Sequence, residues 1–175
     1  QELAAAGWST QHVLPDSVAN VTLSAGAQRV LAHAAAQQQE LLGDCGRGHA
    51  TLDAALLAAG STGSCSCVGP LLKLGADPGA VDREGRTALT LASSAGYLAC
   101  VTALVPTSDP NHAEPQGGTA LMLAVLNQHP AVVAALLAAK AAPNTVDHRG
   151  RPALSFVRPG DAATVALLMA AGADA

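Results

Sequence analysis

An internal repeat with a period of about 33 residues limits the possible folds of this chain more than any other feature. Three segments align without gaps, and each places an acidic residue three positions before a glycine: Asp82–Leu89, Glu114–Leu121 and Asp147–Leu154. A period between about 20 and 50 residues is typical of a stacked array, in which each unit buries its apolar face against the next. The repeat therefore predicts a solenoid of similar units.

Each copy has the pattern of a turn followed by two short helices. The acidic residue and the glycine favour a tight turn. A residue that suits a helix start follows the turn in every copy: Thr87, Thr119 and Pro152. Glycine recurs where the first helix should end, at Gly63, Gly96 and Gly160, with Gln128 as the exception. Apolar residues such as Val101 and Leu104 then indicate a second helix.

Composition favours helices that pack closely and excludes several functions. Hydrophobic residues make up 50% of the 175-residue chain but aromatic residues only 2%, and alanine fills much of the difference. Small side chains bury useful area only where backbones approach each other, which suits stacked helices. The net charge of −4 and the lack of a basic cluster argue against nucleic-acid binding. No apolar run reaches the length of about 18 residues that membrane insertion needs.

From about Leu56 to Ala175 the repeat resembles the ankyrin repeat, whose unit reads D-x-x-G-x-T-P-L-H, then G-x-x-x-x-V, L-L-L and G-A-D. The resemblance implies an all-α solenoid of stacked helix-turn-helix units with short β-hairpin-like turns. Two departures stand out. The family's histidine is replaced in every copy, by Thr90, Met122 and Ser155, so its hydrogen-bond network should be absent or replaced. Pro70 falls inside a second helix, which we expect to be shortened or kinked there.

The repeat divides the chain into six predicted segments. Residues 1–15 form an arm or linker, 16–45 a degenerate capping repeat and 46–80 a divergent repeat. Residues 81–113, 114–146 and 147–175 form three further repeats, and we expect the last to continue into more chain or to be covered by a partner.

The resemblance implies protein recognition along a concave strip made of turn tips and first helices. No cofactor is needed. We expect an acidic partner segment at the last repeat, where basic residues gather. Tyr97 is either an aromatic anchor or packs on its neighbouring helix. The predicted contacts are Arg83, Glu84, Arg86, Thr90, Ser94, Tyr97, His112, Glu114, Gln116, Met122, Leu126, His129, His148, Arg149, Arg151, Ser155 and Arg158.

Other residue groups could bind a metal ion or take part in catalysis, but the sequence favours structural or solvent-exposed roles for them. The pair Cys65 and Cys67 resembles half a zinc site and lacks a matching second pair, so we predict no metal. His112 with Glu114, and Asp147 with His148, lie in predicted exposed turns, where general acid–base catalysis is not expected. Four irregularly spaced cysteines predict no disulfide framework and an intracellular, reducing compartment, cytoplasmic or cytoskeletal.

Two functions remain open at this point. The first is a non-catalytic interaction or scaffolding module that presents the strip to a protein partner. The second is an architectural subunit of a large permanent assembly, cytoskeletal, ciliary or organellar, which uses several faces at once. The resemblance also suggests hydroxylation of Asn111 or Asn144, which precede two of the turns.

Overall fold

The computed structural model describes residues 51–174, and within this range the chain folds into seven α-helices and one short 3₁₀ helix. The helices are α1 (Leu52–Thr62), α2 (Cys65–Lys73), α3 (Ala88–Ala95), α4 (Leu98–Leu104), α5 (Ala120–Leu126), α6 (Pro130–Ala138), the 3₁₀ helix (Ala153–Phe156) and α7 (Ala162–Ala170). The predicted arm (residues 1–15) and capping repeat (16–45) lie outside the described residues.

The helices form two parallel rows, as stacking of repeats requires. The first helices α1, α3 and α5 and the 3₁₀ helix pack in sequence, and so do the second helices α2, α4, α6 and α7. One apolar core runs through both rows. Equivalent side chains of successive units are fully buried in it, including Leu56, Leu89 and Leu121 from the first helices and Val68, Val101 and Val133 from the second. The predicted all-α solenoid is confirmed.

The helix boundaries follow the predicted signals. The hydroxyls of Thr87 and Thr119 accept hydrogen bonds from the backbone N–H groups of Thr90 and Met122, so both threonines cap their helices. Gly96 ends α3 in the left-handed conformation, with φ of 80°. Each turn is closed by a single antiparallel β-bridge, which fits the expected hairpin-like shape.

Two helices differ from expectation. The sequence predicts a helix that is shortened or kinked at Pro70, and the shortening is wrong: α2 has 9 residues, as many as α6, and ends three residues after the proline. Ser66, whose carbonyl loses its helical donor, is exposed and can bind water instead. In the last unit the first helix is only a 3₁₀ turn, because Pro159 follows closely and disfavours helical backbone at Arg158.

The cysteine prediction is wrong for the described residues. Cys65 at the start of α2 forms a disulfide with Cys100 of α4, over a sequence separation of 35 residues. Cys67 is disulfide-bonded as well. Stacking explains the pairing of Cys65 with Cys100, since residues about one period apart become neighbours. The cysteines therefore give no support to a reducing compartment.

The histidine network of the family is replaced locally. Thr90 occupies the histidine position in α3, is completely buried, and donates its hydroxyl to the carbonyl of Thr87 at 2.9 Å. Met122, at the same place in α5, is a buried apolar contact. In place of the hydrogen bonds that histidine would make between units, Thr90 makes one within its own helical turn and Met122 makes only apolar contacts.

Candidate partner-binding surface

The first and third turns are built on the same carboxylate arrangement. In the first, Oδ1 of Asp82 accepts the backbone N–H groups of Glu84 and Arg86, both at 2.9 Å. Oδ2 then binds the Arg86 guanidinium at 2.7 Å. Partial burial by itself would raise the pKa of Asp82, but these contacts together outweigh it and hold the pKa below its usual range.

Asp147 repeats this arrangement in the third turn. It accepts the N–H groups of Arg149 and Arg151 on Oδ1 and the Arg151 guanidinium on Oδ2, at 2.8 Å. The backbone hydrogen bond from Arg151 is the main reason that the pKa of Asp147 is lowered. Each of these turns is therefore closed by backbone hydrogen bonds to the carboxylate and by an internal ion pair.

The middle turn lacks that ion pair. Glu114 stands in the place of the aspartate, and Gly118 stands in the place of the arginine. The backbone closure is unchanged, because the Glu114 N–H still donates to the Gly118 carbonyl at 2.9 Å. Oε1 of Glu114, however, is enclosed and has no hydrogen-bond partner among residues 51–174. Burial raises the pKa of Glu114, and the nearby charge of Arg86 only partly opposes that shift.

Direct contacts hold the three turns side by side. His112, just before the middle turn, makes a hydrogen bond through Nε2 to the carbonyl of Gly85 at 3.1 Å. The backbone N–H of His148 donates to the carbonyl of Gln116 at 3.2 Å. Both glycine turns are pressed against the next unit: a β-carbon on Gly85 would collide with the ring of Pro115, and one on Gly117 would lie 2.7 Å from the His148 nitrogen. Residues 82–86, 114–118 and 147–151 thus form one continuous row, which we call the turn-tip strip.

Charge changes along the turn-tip strip. With histidine neutral, the first turn has no net charge, the middle turn carries one negative charge and the third carries one positive charge. The residue two places after the carboxylate accounts for much of this, as it is Glu84, Gln116 and Arg149 in turn. Glu84 is bound to Arg86 at 3.0 Å, whereas the exposed Arg149 side chain has no carboxylate of the described residues within salt-bridge distance.

A groove opens between the middle and third turns. It encloses about 450 Å³ and is lined by Gln116, Asp147, His148, Arg149 and Arg151. The Arg151 guanidinium is fixed on one side by Asp147 and on another by the ring of Phe156, which it covers at 4.6 Å from the centroid. An arginine held in this way presents its remaining N–H groups with little loss of side-chain entropy on binding.

Two asparagines, in the loops that precede the middle and third turns, connect those loops to the next unit. Oδ1 of Asn111 accepts the Ala142 N–H at 2.7 Å, and Oδ1 of Asn144 accepts the Asp174 N–H at 2.9 Å. Both side chains therefore connect one unit to the next. Their hydroxylation stays a prediction.

The structure places most predicted contact residues at the surface and removes two of them. Thr90 and Met122 lie between stacked first helices and are buried, so a partner does not reach their side chains, and the prediction is corrected for both. Ser155, at the same position in the last described unit, is exposed. Others have structural partners: Ser94 accepts hydrogen bonds from Asn127 and its carbonyl also binds His129.

Sequence reasoning missed an apolar component of the surface. Val81 and Val146, each directly before a turn carboxylate, are about half exposed at 48% and 51%, and Ala113 lies exposed between them. The signal was available, because the position before each acidic residue is apolar in all three copies. Leu126, at the end of α5, was predicted and is 46% exposed.

The described residues contain no candidate metal site and no helix that could span a membrane. No group of three or more His, Cys, Asp or Glu side chains between residues 51 and 174 could hold a metal ion. The longest helix in that range has 11 residues, well below the length of about 20 that crosses a bilayer.

Taken together, stacked helix pairs and a row of contacting turns, two of which are closed by an internal ion pair, define a helical-repeat protein with an exposed edge. Residues 55–147, just over half of the chain, match the family model for ankyrin repeats in three copies. The chain belongs to the ankyrin-repeat family. It is similar to the potassium channel AKT2 of Oryza sativa subsp. japonica, with 42% identity over 69 residues, which is 38% of this chain and 8% of that protein. The chain thus matches only a small part of the length of this relative.

Proposed function

We propose that this chain is a non-catalytic protein-interaction module that binds a partner protein along the turn-tip strip and the exposed ends of the first helices. Ankyrin repeats generally mediate protein–protein interaction. The observation that carries the proposal is the direct contact between successive turns, through His112 and Gly85 and through His148 and Gln116. Such contacts fix exposed side chains from distant parts of the sequence in one rigid surface, which lowers the entropy cost of binding.

The last turn favours an acidic partner segment. Arg149 and Arg158 are exposed, and Arg149 lines the groove in which the guanidinium of Arg151 is already held in place. Arginine recognises carboxylates and phosphates through planar, paired hydrogen bonds. Complementary charge at the rim also accelerates association and makes it sensitive to salt.

Selection of peptides from a random display library against the folded chain tests this proposal. Peptides that bind the strip should lose at least about tenfold in affinity when Arg149→Glu and Arg158→Glu are combined, because two attractive charges become repulsive. The matched control combines Lys73→Glu with Lys140→Glu, which makes the same charge change at two other exposed positions. The proposal would be contradicted if the peptides bound both double variants with the same affinity as the original chain, or if the selection yielded no peptides.

The architectural alternative has its own support. Val165 and Met169 of α7 are exposed, at 38% and 47%, although Val101 and Val133, the counterparts of Val165 in earlier units, are buried in the stack. The aligned segment of the potassium channel also lies in a much longer protein. Sedimentation of the purified chain separates the two functions: a soluble monomer favours the interaction module, and an oligomer that dissociates only on replacing Val165 and Met169 by serine favours the architectural subunit.

A further inference from the structure

The middle turn offers a binding position that its neighbours fill themselves. In the first and third turns one carboxylate oxygen accepts backbone N–H groups and the other binds an arginine four residues later, Arg86 or Arg151. In the middle turn that later residue is Gly118. Oε1 of Glu114 is enclosed, and Oε2 lies above Gly118, 3.4 Å from where a β-carbon would stand. Within the described residues, Glu114 thus lacks the cation that its equivalents bind.

The surroundings of Glu114 favour a cation at this position. The charged and titratable groups that act on its pKa are Arg86, Asp82 and His112. Arg86 is already shared between Asp82 and Glu84, at 2.7 and 3.0 Å, so its charge is largely neutralised. Three carboxylates therefore face one guanidinium here, and the excess charge is negative. A half-buried carboxylate with an unpaired, enclosed oxygen is costly, and a cation bound at Oε2, above Gly118, would offset part of that cost on complex formation.

We propose that Glu114 binds an arginine or lysine side chain of the partner, in the space above Gly118 that Arg86 and Arg151 fill in the flanking turns. This inference rests on the proposed function. It adds that the partner carries a basic residue next to the acidic one that faces Arg149. Neighbouring helices in packed proteins lie about 8–10 Å apart, and an extended chain covers that distance in about three residues. The partner motif therefore has opposite charges about three residues apart.

Gly118→Arg is the decisive variant, because it supplies the missing cation from the chain itself. Gly118 does not have a left-handed backbone, and the only atom of the described residues that a new β-carbon meets is Oε2 of Glu114, at ordinary contact distance. The introduced arginine should bind Glu114 as Arg86 binds Asp82, and so should raise the melting temperature while blocking the partner's basic side chain. A variant that merely damaged the surface would lower both the melting temperature and the affinity.

The experiment compares random-peptide selections against the original chain, Gly118→Arg and Arg149→Glu. The original chain should enrich peptides with arginine or lysine about three residues from aspartate or glutamate. Peptides selected by Gly118→Arg should still be enriched in aspartate or glutamate but no longer in arginine or lysine. Peptides selected by Arg149→Glu should still be enriched in arginine or lysine but no longer in aspartate or glutamate. Glu114→Gln should lower the affinity of the chain for a peptide selected by the original chain about tenfold. When the basic residue of that peptide is changed to alanine, Glu114→Gln should lower the affinity by a smaller factor.

Two results would overturn the inference. In the first result, peptides selected by the original chain show no enrichment of arginine or lysine, or show the same enrichment when selected by Gly118→Arg. Either outcome removes the role of Glu114 and leaves the acidic contact at Arg149 intact. Peptides that are insensitive to every turn variant remove the proposed function itself. The two failures are distinguished by the response to Arg149→Glu.

Discussion

The ring of Tyr97 lies over the α-carbon of Gly63, so close that a β-carbon on the glycine would stand 2.8 Å from Cε1 of the ring. The same relation recurs one unit later, where His129 covers Gly96. In the next unit Asp161 takes the place of the ring and caps α7. The equivalent helix end in the preceding unit is Gln128, which adopts φ of 61° without a glycine. At Gly63 and Gly96 the left-handed backbone favours glycine, and the ring above the helix end leaves no room for a side chain.

Gly96→Ala should therefore destabilise the fold more than Gly160→Ala. Both glycines have positive φ, but only Gly96 has a ring within contact, while no atom of the described residues lies within 4 Å of a β-carbon on Gly160. We expect a loss of about 1 kcal/mol for Gly160→Ala from backbone strain and about 1–3 kcal/mol more for Gly96→Ala from the collision with His129. Urea denaturation measures both, and equal losses would contradict the role of the ring.

The local features of each unit could be predicted from sequence because each depends on residues close together in the chain. The caps at Thr87 and Thr119, the left-handed end at Gly96 and the turn around Gly85 are all decided within one helical turn. The repeat period then gave the order of the units. Family membership and the stacked fold followed from these features alone.

Features that depend on the contact between units could not be predicted in the same way. Thr90 and Met122 were assigned to the surface because a single helix has a free face there, but the next helix covers it. The Cys65–Cys100 disulfide is not predicted because four cysteines look few and irregularly spaced in the sequence, whereas stacking brings residues about one period apart together. The repeat alignment shows Gly118 in place of the arginine, but it cannot show that packing around the turn encloses an oxygen of Glu114.

Removal of the Cys65–Cys100 disulfide should lower the free energy of unfolding. The bond ties α2 to α4 and closes a loop of about 35 residues, which corresponds to about 3–4 kcal/mol of chain entropy in the unfolded state. The variant carries Cys65→Ala and Cys100→Ala, which leaves Cys67 untouched. Calorimetry should show a lower melting temperature. An unchanged value would show that the bond contributes nothing to the stability of the stack.

Acid should weaken the fold through the turn carboxylates. The folded-state pKa of Asp147 lies below the unfolded value of about 3.8. Its contribution to stability is therefore present at pH above that value and is lost as the pH falls through the lower folded value. Asp82 behaves in the same way. Urea denaturation between about pH 2 and 6 should show stability falling in acid, and Asp147→Asn should make that fall smaller. A variant with the same acid dependence as the original chain would exclude Asp147 as a source.

The contribution of Glu114 to the pH dependence of stability should have the opposite sign to that of Asp147. Burial raises its folded-state pKa above the unfolded value of 4.5, so the ionised carboxylate weakens the folded chain when the pH is above both values. This penalty disappears as the pH falls below the unfolded value. Glu114→Gln should accordingly stabilise the chain at pH 7, by less than about 1 kcal/mol because the site is partly solvated, and should have little effect at about pH 3. A stabilisation of equal size at both pH values would mean that charge is not its cause.

Nuclear magnetic resonance titration of the ¹⁵N-labelled chain with a selected peptide is the sharpest test of the turn-tip strip, because it reports every backbone amide at once. If the stacked turns form one binding edge, the largest shifts should fall in residues 82–86, 114–118 and 147–151 together, and the amides of α2 and α4 away from the turns should stay unchanged. Shifts confined to the second helices, or to one turn without its neighbours, would contradict a continuous strip.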